Sequence, residues 1–113
     1  MQDLKAILEE LEIPVAYNHF NTTIEPPVIA YRRDSASNFG ADGKVYKKIN
    51  NYYVELYTAY KNPELEQELE DIFDAHDVFY NVESEDYIDS EQLYQIIYRV
   101  NFDETNTEAT ASV

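Results

Sequence analysis

The side chains of this sequence most able to do chemistry are its carboxylates and its two histidines. Asp71, Asp74, His76 and Asp77 lie close together, and oxygen ligands with one imidazole at that spacing could hold a divalent cation. A fraying, acidic helix end produces the same cluster and is its more common origin. His19 lies between aromatic residues in a stretch of extended character, where a structural role outweighs general-base work. With 23 Asp and Glu residues, no carboxylate pair stands apart as an acid–base couple. No serine occupies a strand–turn–helix elbow. The segment Asn38-Phe39-Gly40-Ala41-Asp42-Gly43 holds both glycines of the chain, yet lacks the spacing of a phosphate-binding loop, and no helix start follows it. The absence of cysteine excludes disulfides, thiolate nucleophiles and thiolate metal sites together. The expectation is a protein that is not an enzyme and takes no metal or other cofactor. The enzymatic alternative is a metal-dependent hydrolase using Asp71, Asp74 and His76.

The elements that would position any site follow from hydrophobic spacing. Residues 2–12 predict an amphipathic helix, with Leu4, Ile7, Leu8 and Leu11 on one stripe and Pro14 ending it. Val15 to Phe20 reads as an extended segment or weak edge strand. Pro26-Pro27 opens a strand over 28–32. Residues 34–43 form the one long loop, the kind of segment that usually serves a function, and 44–49 return as a strand or arm. Residues 52–60 are the clearest strand, with Tyr52, Val54 and Leu56 facing the core and Tyr53, Glu55 and Tyr57 opposite.

Asn62-Pro63-Glu64 combines a capping side chain, proline at the first helical position and acids at the positive end of the dipole. It predicts a helix to about Ala75, buried through Leu65, Leu69, Ile72 and Phe73. A strand over 78–83, a polar connection carrying Tyr87 and Ile88, and a long strand over 93–102 complete the order. The expected fold class is α+β: a single antiparallel or mixed β-sheet of four or five strands with two α-helices packed on one face. Residues 1–102 would form one domain and 103–113 a disordered tail. Two helices leave the other sheet face to solvent or to a partner. Eleven tyrosines without a tryptophan suit a partner, because tyrosine joins an apolar body to a polar tip.

A net charge of −15 argues against a conventional nucleic-acid binder and against an anionic membrane surface. The N-terminus lacks the pattern of a signal peptide, and no apolar run approaches the roughly 20 residues that cross a bilayer. A protein made and kept in the cytosol is expected. Arg32, Arg33, Lys44, Lys47 and Lys48 gather five of the eight basic residues into one stretch that holds only Asp34 and Asp42 as acids. A cationic patch on an acidic body permits a head-to-tail contact between copies, which closes into a ring when the rotation allows. A solvated loop balanced by local acids explains the same pattern without any partner.

Several segments in combination resemble a family of small proteins from the head–tail gene clusters of phages and prophages of low-GC Gram-positive bacteria. They are Ile13-Pro14-Val15-Ala16-Tyr17, Pro26-Pro27-Val28-Ile29-Ala30-Tyr31, Asn38-Phe39-Gly40-Ala41-Asp42 and Val45-Tyr46-Lys47-Lys48-Ile49-Asn50-Asn51-Tyr52. Glu55-Leu56-Tyr57-Thr58, Pro63-Glu64-Leu65-Glu66 and Ser90-Glu91-Gln92-Leu93-Tyr94-Gln95-Ile96-Ile97-Tyr98 continue the match, which spans about residues 4–100. Such proteins are tail terminators, tail-completion or head–tail joining proteins. The order of elements also resembles that of the tail terminator of phage lambda.

The resemblance implies a structural virion protein of the tail or neck, present in the host cytoplasm during assembly. It would form a ring, expected to be a hexamer, that caps the tail tube and meets the head connector or neck proteins, while genomic DNA passes through without specific binding. Within that picture Arg32, Arg33, Lys44, Lys47, Lys48, Tyr53, Tyr57, Glu66 and Glu70 are the expected subunit interface. Asp34, Asn38, Phe39, Gly40, Asp42 and Gly43 are the expected docking loop. The alternative is an acidic DNA mimic that inhibits a DNA-binding enzyme, against which the clustered cations count.

Overall fold

A computed structural model describes residues 3–20, 24–34 and 49–103. Helix α1, Leu4–Leu8, is capped by the Asp3 carboxylate, which accepts from the Ala6 N–H at 2.9 Å. It tightens into a 3-10 turn, Glu9–Leu11, and stops where Glu12 takes a left-handed backbone, φ 64°. The expected single helix over 2–12 is therefore shorter and mixed in type, but all four apolar residues of its stripe are buried. Strand β1, Val15–Tyr17, follows, then β2, Val28–Arg33, which begins after a cis Pro26-Pro27 bond. Strand β3, Ile49–Thr58, leads to helix α2, Pro63–Ala75, with the bounds its caps predict. The Asn62 side chain accepts from the Leu65 N–H, satisfying one of the orphan donors of the first turn.

Strands β4, Phe79–Ile88, and β5, Leu93–Asp103, form the final hairpin. Here the expectation is corrected, because Tyr87 and Ile88 lie within β4 rather than in a polar connection. A register shift between Val82 and Ser84 changes which residues share a face, so the run stops looking like one alternating strand. Pairing with β5 supplies the backbone partners, and the polar sequence of 83–86 is tolerated because β4 is an edge strand.

The sheet order is β1-β2-β3-β5-β4. Only β1 and β2 run parallel; the other pairings are antiparallel, so the sheet is mixed. Register places Ile29, Leu56 and Ile96 in one cross-strand row and Tyr31, Val54 and Tyr98 in the next. With Val100 and Phe102 these make one face, against which both helices bury Leu4, Ile7, Leu8, Leu11, Leu69 and Phe73. Both helices occupy that one face, as their apolar stripes require. Among the described residues no helix is long and apolar enough to cross a membrane.

Candidate functional site

Register also generates the second face. Arg32, Tyr53, Arg99 and Asn81 stand in one row across β2, β3, β5 and β4. Ala30, Glu55, Ile97 and Ser84 form the next row, and Val28, Tyr57, Gln95 and Asp86 the one after. Neither helix packs here, and the polar side chains fasten to one another. Arg32 Nε donates to Glu55 Oε2 at 3.3 Å, the Tyr57 hydroxyl donates to Glu55 Oε1 at 2.8 Å, and Gln95 Nε2 donates to the Tyr57 oxygen at 2.9 Å. The Arg32 and Arg99 guanidinium groups both lie near the Tyr53 ring, 4.5 and 5.8 Å from its centroid. Arg99 Nη2 reaches Asp34 Oδ2 at 2.9 Å. Partial burial, with the Glu55 carboxylate beside it, pushes the Tyr57 phenol up to about 12.

In both ion pairs the cation is the outward member. The Arg32 and Arg99 side chains are 43% and 37% exposed, against 13% for Glu55 and 11% for Asp34. A surface that holds two arginines and three acids, Glu55, Asp34 and Asp86, thus turns its guanidinium groups outward over the two carboxylates that pair with them.

The helix-covered side carries two polar clusters of another kind. Tyr80 and Tyr98 both donate to the Glu70 carboxylate, at 3.4 and 3.0 Å, and burial followed by that carboxylate holds the Tyr98 phenol far above its ordinary value. At the start of α2, Lys61 Nζ bridges Glu66 Oε1 at 2.8 Å and Glu85 Oε2 at 2.9 Å. Those two carboxylates raise Lys61, while Glu85 is held low first by the Tyr94 hydroxyl that donates to it and then by Lys61. His76 Nε2 lies 2.8 Å from Glu10 Oε2, tying the end of α2 to the 3-10 turn.

The structure divides the residues singled out from the sequence. Arg32, Tyr53 and Tyr57 come together on the bare face. Arg33 follows Arg32 and falls on the opposite face, at the end of β2, where its backbone N–H donates to the Tyr17 hydroxyl. Glu66 is buried and Glu70 half-buried on the inner side of α2, each with partners inside the subunit. The outward acids of α2 are Glu64, Glu68, Asp71 and Asp74 instead. Asp34, directly after β2, is held to the sheet by Arg99 and by its N–H donating to the Asn51 carbonyl at 2.8 Å. Lys44, Lys47, Lys48, Asn38, Phe39, Gly40, Asp42 and Gly43 lie outside the described residues, as does the expected tail apart from Asp103, which ends β5.

Sequence reasoning missed Arg99, Gln95, Ile97 and the cluster of Lys61, Glu85 and Tyr94. Alternation along 93–102 carries the signal for the first three, since Gln95, Ile97 and Arg99 share one parity. Nothing local marks the last cluster, which joins residues from three parts of the chain. Among the described residues no group of three or more His, Cys, Asp or Glu side chains is placed to hold a metal ion. Of the acidic cluster at the end of α2, Asp71 accepts from Gln67 and His76 is turned to Glu10. Compared with known protein families, with curated proteins and with solved structures, the chain matches none of them.

Proposed function

We propose that this chain is a non-enzymatic structural subunit that acts by assembling. In this reading it is a tail terminator or head–tail joining protein of a long-tailed phage, forming a ring that caps the tail tube and connects it to the head. It would belong to the tail or neck of the virion. The observation that carries the assembling part is the asymmetry of the sheet: one face is sealed by both helices, and the other, on which neither helix packs, presents tyrosine and outward arginine. Tyrosine and arginine are the side chains on which interfaces concentrate binding energy, because each offers a large flat surface with polar edges. The phage part rests on the sequence resemblance, whose segments fall largely on β2, β3, β5 and the start of α2.

An acidic DNA mimic is the second reading, favoured by the exposed stripe of Glu64, Glu68, Asp71 and Asp74. The guanidinium groups on the opposite face would repel the basic groove that a mimic must fill. The deciding measurement is mass by light scattering over a concentration and salt series, alone and with the tail-tube protein encoded nearby. A closed ring of about six copies, alone or on tube ends, is expected. A monomer indifferent to the tube overturns the ring and favours the mimic.

A further inference from the structure

We infer that the bare sheet face docks on the outer side of α2 of a second copy, in a head-to-tail contact. The inference rests on the assembly reading above and supplies its contact surfaces. On α2, Glu64, Glu68 and Asp71 follow the i, i+4, i+7 spacing of one helical stripe, and all three are exposed. The stripe lies opposite buried Glu66, Leu69 and Phe73, so it faces away from the sheet of its own subunit. No basic residue occupies the last turn of this helix to offset those acids. On the other side of the same subunit, Arg32 and Arg99 are the outward members of their ion pairs and flank the Tyr53 ring. Of the acids on that face, Glu55 and Asp34 pair with those arginines and Asp86 stands in the far row.

The outward guanidinium groups of the sheet face and the carboxylates of the α2 stripe are opposite in sign, and the two surfaces sit on opposite sides of one layered domain. Each copy can then give one and receive one, which makes the contact heterologous rather than twofold. A contact of α2 on α2 would set acids against acids. That arrangement carries a like-charge penalty that the head-to-tail arrangement avoids. Tyr53 and Tyr57 supply flat area at little entropic cost, being already held by Arg32, Arg99, Glu55 and Gln95.

The test is charge reversal, read by sedimentation or light scattering with circular dichroism as the control for folding. E68K/D71K changes only exposed helix positions and is expected to weaken self-association by about tenfold or more at low salt. R32E/R99E should do the same, and R32Q/R99Q replaces it should the reversed form fail to fold. Each reversed variant alone is expected to stay dissociated, and an equimolar mixture of the two to regain the wild-type mass, because every acidic face then finds a basic helix and every basic face an acidic one. Wild-type association by folded E68K/D71K overturns this contact while leaving assembly itself standing. A wild-type chain that stays monomeric, alone and with the tube protein, overturns both. Loss of binding to an added DNA duplex with no change in self-association would reassign the arginine face to a polyanion and overturn the contact.

Discussion

The two faces of this sheet use tyrosine for opposite purposes. On the helix side, the rings of Tyr98 and Tyr80 pack at 5.7 and 5.3 Å from Phe73, and both hydroxyls are turned inward to one carboxylate, Glu70. On the bare side, Tyr53 lies near two arginines, and Tyr57 is fixed between Glu55 and Gln95. The first arrangement removes apolar area from water and satisfies the polar tip that burial would otherwise strand. The second holds rings in place without sealing them. Interior tyrosines thus contribute to stability, while those on the bare side are organised for contact. The same residue type serves both because its phenol can be satisfied by a buried carboxylate or by a surface network.

The largest effect that would sharpen this contrast is expected at Phe73, fully buried and packed against both rings. Phe73→Ala should cost about 3–5 kcal/mol of stability by removing packed area and leaving a cavity, read as a lower urea midpoint. A cost near that of a surface substitution would break the claim that this face is the stabilising one. Next is Glu70→Leu, which leaves the Tyr98 hydroxyl buried without its acceptor and should cost about 1–3 kcal/mol. Adding Tyr98→Phe to that variant should recover part of the loss, and a double-mutant cycle measures the coupling. Additive costs would mean that the 3.0 Å hydrogen bond contributes nothing.

A smaller effect is expected with pH. The folded state holds Tyr57 protonated up to about 12, above its ordinary value of 10.0, so the folded state binds this proton more tightly than the unfolded chain does. Its contribution is therefore fully present below pH 10 and is lost as pH rises through about 12. Tyr57→Phe should make the alkaline fall in stability shallower, followed by denaturant titration beside tyrosinate absorbance. An identical fall in both proteins would place the linkage elsewhere, with Tyr98, Tyr80, Tyr94 and Tyr31 as the other raised phenols among the described residues. The smallest stability effect is expected on the bare face, where Arg99→Gln breaks a partly exposed ion pair and should cost less than about 1 kcal/mol. Thermal unfolding tests it, and a drop of several degrees together with unaltered self-association would reverse the roles assigned to the two faces.

Much of the covered side was legible because burial leaves a periodic trace. Leu4, Ile7, Leu8 and Leu11 announce one stripe, Asn62 and Pro63 mark the start of α2, and Tyr52, Val54 and Leu56 alternate with Tyr53, Glu55 and Tyr57. The candidate contact surface was legible only in part. Arg32, Tyr53 and Tyr57 were found from parity and charge. Glu66 and Glu70 were placed at the interface by their charge alone, and that is where charge misleads: a carboxylate on a helix is outward or inward according to its angle on the wheel and the donors beneath it. Lys61 and the hydroxyls of Tyr80 and Tyr98 are those donors. Lys61 lies just before α2, while Tyr80 and Tyr98 sit on strands that no local pattern brings near.

The sequence by itself determined which segments become helix or strand, which side of each is apolar, and that two helices leave half of a sheet uncovered. These properties are set by neighbours a few residues apart, through backbone preference and hydrophobic spacing. Only the tertiary structure decided the order β1-β2-β3-β5-β4, the parallel seating of β1, and the shift in β4 that draws Tyr87 and Ile88 into the sheet. It alone brought Arg32, Tyr53 and Arg99 into one row and turned the guanidinium groups outward over Glu55 and Asp34. Strand register couples residues separated by tens of positions through backbone hydrogen bonds that carry no residue identity. The face they create can be described only once the chain has paired.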